Sequence, residues 1–430
     1  MLRTSDLDYE LPERLIAVHA VEPRDSARMM VVSRSDGGRE GGTGVGATGR
    51  EQVEHRHVRD LTAYVRAGDL LVLNTTRVLP ARLIGVRADT GAKVQGLYVG
   101  PGTATESEQD ARAALGPTAA PPGDPILWNV LLKMRRSKPG AIVTLVGPDE
   151  KATGVSLRLL SRATSGDGIE TGGWNVCVEC IEGGTCTLGA TELLGKVGHT
   201  PLPPYILSAR KQLVAAQALA GLHSASTLDR TDRERYQTVY ADPSQGQSVA
   251  APTAGLHFTP ELLIRLKTLG VRTASVVLHV GLGTFKPVDT EYVEQHPMHE
   301  EWCQLPGETA QAILATRNQG GRVLAVGTTA ARTLESFEEL GQSEIPGDVG
   351  HLQQDRTHFT RLLITPGYSF KHIDGLLTNF HLPRSTLLAM VAALLGDEHT
   401  GVQRLLDLYR TAIEQEYRFY SFGDAMLVLP

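Results

Sequence analysis

The sequence predicts an α/β protein: a larger mixed α/β domain, a barrel-like sheet with flanking helices, carrying an inserted small β-barrel. Three observations point there. Short apolar runs broken by glycine and proline, with no long amphipathic helix, fill Val78 to Leu194, as strands of a barrel do. From about Gln247 onward helix-like and strand-like runs alternate, the signature of layered α/β architecture. The amino-terminal strand Met29–Val32 is most simply a member of that second part.

In chain order, Leu70–Leu73 opens the strand-rich region. The runs RVLPARLIGV, AKVQGLYVG, ILWNVLLKM, AIVTLVG, VSLRLL and WNVCVECI follow, each short enough for a strand and separated by turn residues. Domain limits are therefore expected at 1–77 and 200–430 for the larger domain and 78–199 for the insertion. Thr259 as N-cap, Pro260 at the first helical position and Gly270 as stop define a helix over 260–269. Strand 271–280, helix 308–318, strand 322–326, helix 329–340, strand 361–364 and helices 385–395 and 401–415 complete the alternation. Segments 33–54, 101–124 and 341–360 lack periodicity and are expected to be flexible loops.

Composition narrows the function classes. In 430 residues no apolar run approaches the roughly 20 needed to cross a bilayer. The start, MLRTSDLDYELPERL, lacks the basic-then-apolar order of a signal peptide, so a cytoplasmic address is expected, and four cysteines fit it. Without an obvious coiled coil or exposed apolar repeat, a monomer is expected. A net charge of −6 excludes a strongly basic coat, yet Lys133, Arg135, Arg136 and Lys138 cluster in LLKMRRSKPG as a candidate RNA-binding face. Arg77, Arg82, Arg87 and Lys93 add charge upstream.

Candidate chemistry collects at turns between strands and helices. His257 precedes the 260–269 helix and His279 ends the next strand. If the segment before Pro252 is also a strand, a right-handed crossover brings both histidines to one rim. RVLAVG runs into TTAARTLESFEEL, which puts Thr328 and Thr329 at a helix amino end, suited to an anion or a ribose. In TNFHLPRSTLLAM, Asn379, His381, Arg384 and Ser385 precede an apolar helix. Gly281 and Gly283 allow close backbone approach, and Thr284 and Phe285 offer a hydroxyl and a stacking face.

Other constellations fail on context. Gly44, Gly46 and Gly49 spell GxGxxG about a dozen residues after the nearest strand, too far to cradle a pyrophosphate. Cys177 and Cys180 fall on opposite faces of a strand, which spoils a shared zinc with Cys186, and His296 with His299 is a weak pair, so no metal is expected. No serine sits in a nucleophile elbow.

RYQTVYA, APTAGLHFT, LHVGLGTFKPV, GTTAARTLES, PGYSFKHIDGLLTNFHLPRSTLL and YRFYSFGDAML, with LDYELPERLIA, PRDSARMMV, GDLLVLNTTRVLPARL and PLPPYI, span nearly the whole chain. Together they closely resemble the S-adenosylmethionine:tRNA ribosyltransferase-isomerase family of queuosine biosynthesis. The resemblance implies transfer and isomerisation of the ribosyl group of S-adenosylmethionine onto 7-aminomethyl-7-deazaguanine at the tRNA wobble position. Epoxyqueuosine forms; adenine and methionine leave. It further implies S-adenosylmethionine as co-substrate without a true cofactor, tRNA carrying the precursor base as partner, and no metal. Within the matching motifs Asn74, Arg77, Thr253, Gly255 and Arg332 join the substrate-binding candidates, and His257 or His279 becomes the acid or base. Thr75, Ala330, Val18 and Ala20 depart from the usual pattern; at 330 the family commonly has Ser.

Two other classes compete. A methyltransferase would show a glycine-rich turn after the first strand of a doubly wound sheet, and a non-catalytic RNA-binding module would need only the basic face.

Overall fold

The structure, a computed structural model, describes residues 1–34, 52–102, 126–164, 170–180, 189–215, 225–246, 248–281, 287–338 and 354–430. Among the described residues fifteen strands follow in chain order. They are β1 (Arg28–Ser33), β2 (Gln52–His57), β3 (Leu70–Asn74), β4 (Arg82–Arg87), β5 (Lys93–Pro101), β6 (Leu127–Lys133), β7 (Ile142–Val146), β8 (Ala152–Thr164), β9 (Glu170–Cys180), β10 (Arg272–Leu278), β11 (Glu301–Leu305), β12 (Val323–Val326), β13 (Arg356–Thr360), β14 (Gly375–Asn379) and β15 (Ala425–Leu429). The helices are α1 (Ala190–Val197), α2 (Pro204–Ala215), α3 (Ala225–Arg235), α4 (Pro260–Thr268), α5 (Gly307–Asn318), α6 (Thr328–Glu335), α7 (Thr386–Leu395) and α8 (Gly401–Glu414). No helix among the described residues is long and apolar enough to cross a membrane.

The chain divides into two compact units, Met1–Arg77 with Pro203–Ala218 and Gln237–Pro430, and Val78–Leu202 with Leu219–Tyr236. The second is a closed antiparallel barrel in the order β4-β5-β6-β9-β8-β7, and each of the six apolar runs supplies one strand. Trp128, Val130, Leu157, Leu159, Trp174 and Val176 are buried at alternating positions along their strands. Helix α3, in a stretch expected to lie in the larger domain, belongs to the barrel unit, where Arg233 donates to the Gly195 carbonyl (3.0 Å) and to Asp229 (2.7 Å).

The first unit is a nine-stranded mixed sheet ordered β13-β11-β10-β3-β12-β14-β15-β1-β2. Strands β10, β3, β12 and β14 run parallel, so their carboxyl ends share one rim. Every residue of β3, β12 and β14 is buried, as expected of strands covered on both faces. Alternation then sorts side chains into two cores: Leu70 and Val72 pack with Val323, Ala325 and Leu376 on one face, Leu71 and Leu73 with Leu324, Val326 and Leu377 on the other. At the opposite end Asp69 ties the strands together. Its carboxylate accepts the Arg322 backbone N–H (3.0 Å), the Arg322 guanidinium (2.6 Å) and the Arg66 N–H (3.0 Å).

Several expectations are corrected. The run at 361–364 is not a strand: Leu362, Leu363 and Ile364 pack into the core, while the hydrogen-bonded strand is the more polar β13, within a segment read as loop. Residues 52–54, also read as loop, belong to β2. Among the described residues no strand immediately precedes Pro252; instead a 3-10 turn, Thr253–His257, leads into α4, and the parallel neighbours of β3 are β10 and β12. Helix α6 stops at Glu335, whose carboxylate is taken by the Tyr368 hydroxyl and the backbone N–H groups of Lys371, His372 and Ile373.

Candidate active site

A cleft with about 570 Å³ of empty space, including its open mouth, lies at the carboxyl rim of the parallel strands. The rim at the carboxyl ends of parallel strands is where α/β sheets bind ligands. Val280 after β10, Gly327, Thr328 and Thr329 after β12, and Thr378, Asn379 and His381 at the end of β14 line it. Ala251, Thr253 and Ala254 form one wall, and Tyr205, Tyr420 and Ser421 another.

The walls hold one another. The Thr253 hydroxyl donates to Asn379 Oδ1 (2.8 Å), and Asn379 Nδ2 donates to the Tyr420 carbonyl (3.1 Å). Tyr205 packs on Tyr420 with ring centroids 4.6 Å apart, and its hydroxyl hydrogen-bonds Ser421 Oγ. His381 is anchored through Nε2 to the Thr378 hydroxyl (2.7 Å), and its backbone N–H donates to the Tyr409 hydroxyl (2.9 Å).

Burial pushes the His381 imidazole down to about 3, so the ring is neutral at neutral pH. An unfolded chain protonates it near 6.5, so between about 6.5 and 3 the unfolded state binds more protons. Stability therefore falls as pH drops through that window, by about 1.4 kcal/mol for each pH unit this group spans. We predict that His381→Gln flattens the fall of Tm between pH 6.5 and 4; parallel curves for variant and parent would contradict it.

Thr253, Thr328, Thr329, Asn379 and His381 come together in the cleft. His257 and His279 flank it without lining it. His257 is buried, its Nδ1 facing the Ala254 carbonyl (3.1 Å) and its Nε2 the Gly423 carbonyl (2.8 Å), so neither nitrogen is open to a substrate. Burial pulls its pKa down, against the two carbonyls and Asp424, which favour the charged ring. The ring is a strut between the cleft wall and the turn before β15.

His279 is half-buried, stacked on Trp302 with centroids 4.8 Å apart, and meets the Thr76 hydroxyl through Nδ1 (3.1 Å). Its Nε2 is unclaimed among the described residues, and burial lowers its pKa to about 4. Asn74 is fully buried and braces this corner, donating to the Leu278 carbonyl (3.1 Å) and accepting from the Leu278 and Thr76 N–H groups. The Gly281 N–H donates to Glu301 Oε1 (2.8 Å), and the Glu301 carboxylate pairs with Arg332 (2.7 Å).

Other candidates have local roles. A Cβ on Gly255 would lie 1.9 Å from the Tyr240 hydroxyl, so protein packing already requires glycine there. Ser385 caps α7 by accepting the Leu388 N–H (3.3 Å). Arg384 is ion-paired with Asp8 on the surface, and Arg77 is exposed. Gly283, Thr284 and Phe285 lie outside the described residues, as do Gly44, Gly46, Gly49 and Cys186. Among the described residues no group of three or more His, Cys, Asp or Glu could hold a metal ion. In the barrel unit Lys133, Arg135, Arg136 and Lys138 are all exposed, and none has an ion-pair partner among the described residues.

Sequence reasoning missed Tyr205, Tyr420, Ser421, Glu301, Thr76 and Trp302. The first three lie in or beside PLPPYI and YRFYSFGDAML, so the motifs themselves were the available signal. Ala330, where a serine is common in the resembling family, is fully buried in the core; the hydroxyl facing the cleft is that of its neighbour Thr329.

The family model described as queuosine biosynthesis protein matches residues 4–428. Curated relatives include S-adenosylmethionine:tRNA ribosyltransferase-isomerase of Desulfitobacterium hafniense, 40% identical and covering 100% of both chains. The protein of the same name from Gloeobacter violaceus is 42% identical over 99% of this chain and 96% of its own. A solved structure of S-adenosylmethionine tRNA ribosyltransferase from Thermotoga maritima is 31% identical, covering 99% of this chain and 100% of that one, with a TM-score of 0.46.

Proposed function

The chain belongs to the queuosine biosynthesis protein family, and from that membership we propose that it is an S-adenosylmethionine:tRNA ribosyltransferase-isomerase. In this reading it moves the ribosyl group of S-adenosylmethionine onto 7-aminomethyl-7-deazaguanine in the tRNA wobble position and isomerises it, giving epoxyqueuosine, adenine and methionine. S-adenosylmethionine is a co-substrate, no further cofactor is needed, and the protein works as a cytosolic monomer. The observation that carries the reading is end-to-end identity of about 40% with enzymes that share this one name.

The chemistry asks for a group that removes a proton beside the sulfonium, which acidifies the neighbouring 5′ carbon, and for a dry cleft that holds the nucleoside. We assign proton transfer to His279, the rim histidine with an unclaimed nitrogen, and nucleoside contacts to Thr253, Asn379 and neutral His381. Tyr205 and Tyr420 offer the aromatic wall for a base. The exposed run Lys133, Arg135, Arg136 and Lys138 supports contact with tRNA phosphates, which would make binding salt-dependent.

Incubation with S-adenosylmethionine and tRNA carrying the deazaguanine precursor should release adenine and methionine in step with tRNA modification. Methylated tRNA, or no product, would refute the assignment.

A further inference from the structure

We propose that the amino end of α6 and the Arg332–Glu301 pair behind it hold the α-amino-acid end of S-adenosylmethionine, with its carboxylate on Thr329 and Arg332. This deepens the function proposed above and rests on it.

Gly327, at φ 92, has no side chain with which to cap α6, so that helix end opens on the cleft. The Thr329 hydroxyl is buried and has no hydrogen-bond partner among the described residues, although Thr329 lines the cleft. Arg332 is only 5% exposed. It meets Glu301 Oε2 through Nη1 at 2.7 Å, while its Nε and Nη2 have no hydrogen-bond partner among the described residues. Those two N–H groups form the side-on edge of the guanidinium, the edge that matches both oxygens of a carboxylate. Native proteins rarely leave such donors buried and empty.

Thr329 and Arg332 are three residues apart, hence on one face of α6; Thr329 lines the cleft and Arg332 lies one turn behind it, where a helical side chain leans toward the amino end. Glu301 also accepts the N–H of Gly281, the residue after cleft-lining Val280, so the pair abuts the same wall.

Charge selects the ligand class. Arg332 and Glu301 cancel, so the site is neutral overall. A phosphate would add negative charge to this neutral pair with no cation of its own to balance it. A zwitterionic amino acid matches instead, its carboxylate toward Arg332 and its ammonium toward the Glu301 side.

Binding to the full chain should be measured for S-adenosylmethionine and for its decarboxylated analogue, which keeps the adenosine, the sulfonium and the amine. The parent should prefer S-adenosylmethionine by roughly 10- to 100-fold. In the double variant Arg332→Gln/Glu301→Gln, which leaves no lone buried charge, the preference should collapse toward one, while the analogue, which loses only its ammonium contact with Glu301, still binds within about tenfold of the parent and reports a folded cleft. Thr329→Val, which removes only a hydroxyl, should reduce the preference a few-fold. A preference unchanged in both variants would overturn the proposal, as would equal affinities for the two compounds in the parent. If the parent binds neither compound, the S-adenosylmethionine reading itself fails and takes this inference with it.

Discussion

Replacing His279 by alanine is expected to lower turnover by about 10²- to 10⁴-fold while S-adenosylmethionine affinity stays within a few-fold of the parent. The ring is already aimed. Trp302 stacks on it, Thr76 holds Nδ1, and its backbone N–H donates to the Trp302 carbonyl (3.0 Å). With its pKa pulled down to about 4 by burial, the imidazole is neutral and able to accept a proton across the physiological range. The acid limb of kcat/KM should accordingly lie well below 6.5, and Thr76→Val, which frees the ring to turn, should lower kcat more than it raises KM. His257→Ala should behave differently, losing stability because the Ala254 and Gly423 carbonyls lose their shared partner. Near-normal turnover in the His279 variant would end its assignment.

The largest stability effect is expected at the other end of the sheet. Asp69→Ala should cost about 3–5 kcal/mol, the usual penalty for breaking a buried ion pair from one side. Asp69 is fully buried, and the variant leaves the largely buried Arg322 guanidinium with only the Tyr64 carbonyl (2.9 Å) and leaves two backbone N–H groups before β3 and β12 without their acceptor. Burial by itself would raise the Asp69 pKa, but the bonds from Arg322 and from the Arg66 and Arg322 backbones outweigh it and hold the carboxyl below 3.8. Its contribution is thus complete above the unfolded value and is lost as pH falls through the lower folded one. The gap in unfolding free energy between parent and variant should be full at pH 7 and shrink below about pH 4; a gap that does not vary with pH would contradict the ion-pair account. Turnover per folded molecule should be little changed, since Asp69 stands at the amino ends of strands whose carboxyl ends carry the cleft.

How far the sequence reveals all this depends on how local each signal is. The strands β3 and β12 were legible because continuous apolar runs have few alternatives, and α4 because Thr259, Pro260 and Gly270 mark both ends. The barrel was legible as six short runs. Edge pairing was not: β13 is an edge strand whose central residues Thr357, His358 and Phe359 are all exposed, so it carries no apolar alternation, whereas the apolar run after it fills the core without joining the ladder. The rim was foreseen, but through a wrong construction, since the segment before Pro252 forms no strand and β3 takes that place between β10 and β12. The histidines differ for the same reason. Both precede or end regular elements, yet only the fold brings Gly423 onto His257 and Trp302 onto His279, across 166 residues in the first case. Tyr205 and Ser421, 216 residues apart, could not be paired by spacing at all.

The position of β15 bears on how the protein is made. It sits between β14 and β1, so the β1–β2 hairpin joins the rest of its sheet only through a strand that begins at Ala425, although β1 begins at Arg28. At about 5–20 residues per second, a ribosome would leave β1 without its parallel partner for roughly 20 to 80 seconds. The barrel, whose strands are contiguous in the chain, can close while synthesis continues; the sheet that carries the cleft must wait. During that interval an edge of Met29, Met30, Val31 and Val32, each buried in the finished fold, is open to wrong partners. Slowed translation of the second half should therefore lower the yield of native protein more than slowed translation of the first.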